Sequence, residues 1–149
     1  MKTDLVVAGF IFFENKVLLV HHKKLDLWLP VGGHIKKNET PDGALLREIK
    51  EETKMDVEIL NQSSIPLGGN IKKSLANPFY VNVHSAGDHE HCCFFYVCKA
   101  LNPENLQIND ELKNFGWFSN SELSKPPITS DVKNITLKAF ELLQKLKVG

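Results

Sequence analysis

The sequence has no surplus of either charge. Eighteen basic residues balance eighteen acidic ones in 149 residues. Nothing global draws such a chain to a polyanion, since tight non-specific nucleic-acid binding shows a basic excess. Only a local basic patch stays open. Cysteine is scarce, limited to Cys92, Cys93 and Cys98. An odd count with two adjacent members does not build a disulfide framework, so buried thiols in a reducing cytoplasm are the expectation. No apolar run is long enough to span a bilayer. Internal repeats, low-complexity tracts and interdomain linkers are also missing, so residues 1–149 are expected to form one domain.

What is there reads as alternating strands and helices. Leu5 to Phe13 is apolar and follows Lys2, like the core of a signal peptide, but it is short and no small-residue cleavage site closes it. The better reading is a hairpin, with Glu14-Asn15-Lys16 turning into a second strand over Lys16 to His22. Leu25 to Gly33 reads as a loop containing Pro30, Gly32 and Gly33. A helix then begins where Thr40 can cap the first turn and Pro41 fits the first helical position. Asp42 suits the positive end of its dipole, and Leu45, Leu46 and Ile49 recur at helical spacing. Val57 to Ile65 reads as a strand, Pro66 to Pro78 mostly as loop. Phe79 to His84, Cys92 to Ala100 and Lys113 to Phe118 read as further strands, the middle one apolar enough to be covered on both faces. Ser130 or Asp131 can cap a last helix with Val132, Ile135, Ala139, Leu142 and Leu146 along one side. An α/β arrangement follows, a sheet with helices packed on it.

The most informative stretch is Gly33 to Met55. Glu48, Glu51 and Glu52 stand at i, i+3 and i+4, which puts three carboxylates on one helix face within reach of one another. Charge alone allows a solvated acidic face. Clustered like charges otherwise cost free energy unless compensated. Arg47, four residues before Glu51, relieves the flank, and hard divalent cations that take carboxylate, water and phosphate oxygens would relieve more.

The order of residues here resembles the Nudix box: Gly, five residues, Glu, seven residues, then Arg-Glu-aliphatic-any-Glu-Glu-any-Gly-aliphatic. Gly33, Glu39, Arg47, Glu48, Ile49, Glu51, Glu52 and Met55 occupy these positions over 23 residues. Trp28-Leu29-Pro30 and Gly116-Trp117-Phe118 also look like landmarks of the Nudix (MutT-like) hydrolase family. The resemblance implies an α/β/α sandwich with a mixed β-sheet and metal-dependent cleavage of a diphosphate bond. It implies Mg2+ or Mn2+ held by Glu48, Glu51 and Glu52, with the Gly33 carbonyl as a further ligand. Glu51 and Glu52, and less so Glu48, are the candidates for the proton-accepting carboxylate. Glu39, Arg47 and Gly32 would support the site. Glu111 sits where a distant acidic ligand often falls in the family, with Asp110 the adjacent alternative. A solvated loop carboxylate is the competing reading. The pattern departs at Lys54, which replaces the glycine that ends the helix. A left-handed lysine there costs on the order of 1 kcal/mol, although its charge suits the helix C-terminus.

For other residues a core role is the competing reading. Trp28, Phe79 and Tyr80 could stack a base, although aromatics more often pack inside. His84, Asp88 and His89 could line a substrate pocket. His89, His91, Cys92 and Cys93 cluster in sequence, but they lack paired Cys-x-x-Cys spacing, and strand residues alternate faces, so these four do not readily converge on one zinc ion. The cysteines lie in an apolar strand and lack the neighbours of a nucleophile. That also argues against an isomerase role known from a branch of the fold.

Substrate signatures downstream of the box are missing. Asn70 and Ile71 stand where ADP-ribose enzymes carry proline, and Lys72 and Lys73 where dinucleoside polyphosphate enzymes carry tyrosine. The default expectation is a small nucleotide substrate, a nucleoside triphosphate (oxidised ones included) cleaved to pyrophosphate. The rival is a non-catalytic nucleotide-binding module on the same fold, and intact Glu48, Glu51 and Glu52 weigh against it. RNA cap removal would need a basic groove that the charge balance does not advertise. No membrane partner is expected, and a homodimer stays open by family analogy.

Overall fold

The computed structural model describes residues 1–124 and 127–148. Its order is β1 (Thr3–Phe13), β2 (Lys16–His22), β3 (Leu27–Leu29), β4 (Val31–His34), α1 (Pro41–Thr53), β5 (Val57–Ile59), β6 (Tyr80–Ser85), β7 (Glu90–Ala100), β8 (Leu112–Phe118) and α2 (Ser130–Val148). The strands form one mixed sheet. β1 and β7 run parallel along ten registered pairs, from Thr3↔Glu90 to Phe12↔Lys99. The other edge of β1 divides: Ile11 to Phe13 pair with β2, whereas Val6 to Gly9 pair with β4. β7 divides likewise between β6 and β5, and β8 closes the outer edge of β2.

Strand alternation sorts the core onto two faces. Val7, Ile11, Leu18 and Val20 join Ala44, Leu45 and Ile49 of α1. Val6, Ala8, Phe10, Phe12, Val17 and Leu19 join Ala139, Phe140 and Leu143 of α2. The result is the α/β/α sandwich expected. Each fully buried Leu or Ile on α1 contributes roughly 1.5–3 kcal/mol, enough to hold the helix against the sheet.

The start of α1 follows the sequence signals. Thr40 is extended and its hydroxyl accepts from the Gly43 N–H at 3.1 Å, with Pro41 in the first turn. At the other end Lys54 takes φ 63° and ψ 9°, and its N–H closes on the Lys50 carbonyl at 2.9 Å. The left-handed turn is therefore kept without a glycine.

Three boundaries differ from expectation. Leu25 to Gly33 is no plain loop: residues 27–29 and 31–34 are two short strands on either side of Pro30, completing the divided edges of β2 and β1. β5 ends at Ile59, not Ile65, and Asn61 turns the chain away with φ 64°. Ser130 is already helical, and the Thr129 carbonyl accepts the first helical bond, from the Lys133 N–H at 3.0 Å. On α2 the buried stripe is Val132, Thr136, Ala139, Phe140 and Leu143, with Ile135, Leu142 and Leu146 half-buried at its margin. Among the described residues no helix is long and apolar enough to cross a membrane.

Candidate metal-dependent hydrolase site

Arg47 is the hub of the box. Its guanidinium donates to Glu39 at 2.7 and 2.9 Å, to Glu48 at 2.9 Å, to Glu51 at 3.3 Å and to the His34 carbonyl at 2.9 Å. Glu39 also accepts from the Lys36 N–H at 2.8 Å. These bonds, Arg47's first, hold the Glu39 carboxyl down at about 2. Bidentate charge-assisted pairing of this kind fixes orientation as well as charge. It locks the loop after β4 to the helix that carries the carboxylates.

Gly32 and Gly33 bring that loop close. A Cβ on Gly32 would stand 2.0 Å from the Val7 carbonyl oxygen, and one on Gly33 would stand 2.4 Å from the Glu48 carboxyl carbon. Only a bare Cα lets the Glu48 carboxylate lie against the β4 backbone. Glu51 remains half-exposed beside it.

Glu52 is buried, with 5% of its surface exposed. Burial, a hydrogen bond with Glu48 and the charges of Glu48, Glu111 and Glu51 push its carboxyl up to about 9. A carboxyl held there carries a proton at neutral pH. Opposite charge reverses each of the electrostatic causes. The donor set is hard oxygen, suited to Mg2+ or Mn2+ more than to softer ions.

Glu111 reaches the cluster on a loop fastened to the C-terminus of α1. The Asn109 N–H donates to the Glu52 carbonyl at 3.1 Å, the Asn109 side chain to the Glu51 carbonyl at 3.3 Å, and the Gln107 N–H to the Thr53 carbonyl at 3.0 Å. The Asn109 side-chain oxygen in turn accepts from the Glu111 N–H at 3.0 Å. Asn109 thus satisfies carbonyls that a helix end leaves unpaired. Sequence reasoning missed it, because no local pattern marks a residue that caps a helix from 58 positions away.

The remaining candidates lie elsewhere. Trp28 stacks on His21 at 5.1 Å and meets Phe118 edge-on at 5.6 Å. Phe79 and Tyr80 pack with Phe10 and Phe95 and line a groove of about 420 Å³ with Ile135, Leu142 and other α2 residues. That groove is on the face of the sheet opposite α1, so these two rings join α2 and not the carboxylates. His84, Asp88 and His89 sit at the β6–β7 hairpin. Asp88 accepts from His89 at 2.8 Å, and His84 meets His91 edge-on at 5.4 Å. Cys93 and Cys98 are buried, and burial raises the Cys93 thiol to about 12, as inert packing thiols require.

A family model described as the NUDIX domain matches residues 2–139. The chain belongs to this family. Nudix hydrolases act on small nucleotide-derived substrates and generally use divalent metals. A hydrolase of the NUDIX family from Clostridium perfringens superposes with a TM-score of 0.80 at 30% identity, covering 96% of this chain and 99% of that one. An ADP-ribose pyrophosphatase from Streptococcus suis shares the fold, with a TM-score of 0.60 and 24% identity over 91% and 90% of the two chains. A Bacillus subtilis protein, YjhB, whose name provisionally places it among the ADP-ribose pyrophosphatases, is 40% identical over 52 residues. The matched stretch covers 35% of this chain and only 25% of that relative.

Proposed function

We propose that this Nudix hydrolase, a single domain over residues 1–149, cleaves a diphosphate bond in a nucleoside diphosphate linked to another group. Nucleoside triphosphates, oxidised ones included, are the first substrates, split to the monophosphate and pyrophosphate. The observation that carries the reading is the buried Glu52 carboxyl beside Glu48, Glu51 and Glu111. Glu48, Glu51 and Glu52, with the Gly33 carbonyl and Glu111, would hold Mg2+ or Mn2+. Bound divalent ions supply neutralisation of phosphate oxygens and a more acidic water.

The chain's own residues do the rest. Arg47 and Glu39 hold the loop and the helix in register. Gly33 leaves the space in which Glu48 sits. Glu51 and Glu52, and less so Glu48, would accept a proton from the attacking water. A purely nucleotide-binding module would have no use for a carboxyl buried beside other carboxylates, where burial and then their charge drive it to hold a proton.

The test is hydrolysis with Mg2+ or Mn2+ of nucleoside triphosphates, oxidised nucleotides, ADP-ribose, dinucleoside polyphosphates, NADH and nucleotide sugars, beside Glu51→Gln/Glu52→Gln. Turnover by wild type and its loss in the variant is the expected outcome. Nucleotide binding without turnover on any compound would establish the binding module instead. ADP-ribose is the second reading, favoured by the names of YjhB and the Streptococcus suis enzyme. It prevails if ADP-ribose is turned over with the highest kcat/KM.

A further inference from the structure

The sheet carries a second group of ligating side chains, on the face away from α1. In the parallel register Asp4 of β1 stands opposite His91 of β7. His34 of β4 stands opposite Val6, two residues along from Asp4 and on the same face. His89 sits in the bend just before β7, and its ring lies 5.0 Å from that of His91. One donor atom from each of Asp4, His34, His89 and His91 falls within 4.8 Å of all the others.

The spacings suit one small ion. Ligand atoms 2.0–2.1 Å from a tetrahedral zinc stand roughly 3.3 Å apart. Here His34 Nε2 is 3.1 Å from Asp4 Oδ2, His89 Nε2 is 3.6 Å from the same oxygen, and His89 Nε2 is 3.2 Å from His91 Nε2. Lys2 engages the other oxygen, Oδ1, at 3.5 Å, which leaves Oδ2 to the imidazoles. The far nitrogen of His89, Nδ1, faces Asp88 Oδ1 at 2.8 Å. That is the outer carboxylate that orients a metal-ligating histidine and fixes its tautomer. The His34 side chain is 58% exposed, which gives an ion a way in.

We propose that Asp4, His34, His89 and His91 form a structural site for a borderline transition-metal ion of the zinc class, separate from the oxygen-lined box. Three imidazoles and one carboxylate suit zinc and not magnesium. Four protein ligands make it a closed site. The ion ties β4 and the β6–β7 hairpin to the central pair β1 and β7. The inference is independent of the proposed hydrolysis.

The experiment is zinc titration of the full-length Glu51→Gln/Glu52→Gln chain, in which the box competes less for metal, read by calorimetry and thermal melting. One equivalent of zinc should bind and raise Tm. His89→Ala/His91→Ala in the same background should weaken binding at least tenfold and abolish the shift in Tm. Asp88→Asn should weaken it roughly 10–100-fold. Equal zinc binding with and without the two histidines, or no binding in the parent, would overturn the site. Imidazole NMR of the unsubstituted chain guards against misfolded variants. Zinc should move the Nε2 signals of His34, His89 and His91, and unchanged signals at saturating zinc would equally overturn it.

Discussion

The two clusters on opposite faces of the sheet are built in contrary ways. Glu48, Glu51 and Glu52 come from a single helix, and their convergence is a matter of helical spacing. Asp4, His34 and His91 come from three strands and His89 from the turn before β7, and the sheet register brings them together. The first offers hard oxygen, and burial first, then the neighbouring carboxylates, drive a proton onto Glu52. The second offers imidazole beside one carboxylate and is already hydrogen-bonded within itself. A helix writes its site into a few consecutive residues. A sheet scatters its site along the whole chain.

The contrast is broken most severely at Gly33. Gly33→Ala puts a methyl 2.4 Å from the Glu48 carboxyl carbon. The carboxylate must swing away, and misplacement by about 1 Å costs on the order of 100-fold in rate. Steady-state kinetics should show kcat falling with the fold intact by circular dichroism. Activity within a few-fold of wild type would mean that Glu48 need not rest on β4.

A second break is thermodynamic. The Glu52 carboxyl sits at about 9 in the folded chain against an ordinary 4.5. The folded state therefore binds this proton more tightly than the unfolded state, and unfolding releases it. Stability is full below about 4.5 and is lost as pH rises from there towards 9. Thermal melts in chelator should show Tm falling across that window. Saturating Mg2+ should flatten the fall, because the cation favours the charged form. Glu52→Gln should remove this contribution, and an unchanged slope in that variant would assign the effect to another group.

A smaller effect is expected at the helix end. Lys54 holds φ 63° where a glycine would sit without strain. Lys54→Gly should raise stability by about 1 kcal/mol, read from the midpoint of denaturant unfolding. A loss of stability would show that the lysine's charge at the helix C-terminus outweighs its backbone strain.

Legibility in the sequence follows the same division. The cap at Thr40, the start at Pro41 and the carboxylate face could be read directly, because each rests on neighbours within a turn. The helix core faces were legible only in part: Leu46 is exposed on α1, and on α2 the buried stripe runs through Thr136, Phe140 and Leu143. The short strands at residues 27–29 and 31–34 could not. Pro30, Gly32 and Gly33 look like loop, and those strands exist only because β1 and β2 diverge and leave edges to fill. Nor could the length of β5, cut at Asn61 where β7 turns its edge over to β6. Asn109 and the pairing of Asp4 with His34 and His91 depend on contacts that local spacing does not encode. Local alternation argues against Cys92 and Cys93 joining His89 and His91 around one ion, yet it is silent about partners on other strands.

The proposed hydrolysis rests on divalent cations held by the helix-borne carboxylates. It is tested most directly by Mn2+ titration followed by electron paramagnetic resonance, comparing wild type with Glu51→Gln/Glu52→Gln. Bound Mn2+ in wild type that supports turnover, with affinity at least tenfold weaker and no turnover in the variant, is the expected result. Equal Mn2+ binding in the two proteins would contradict the claim.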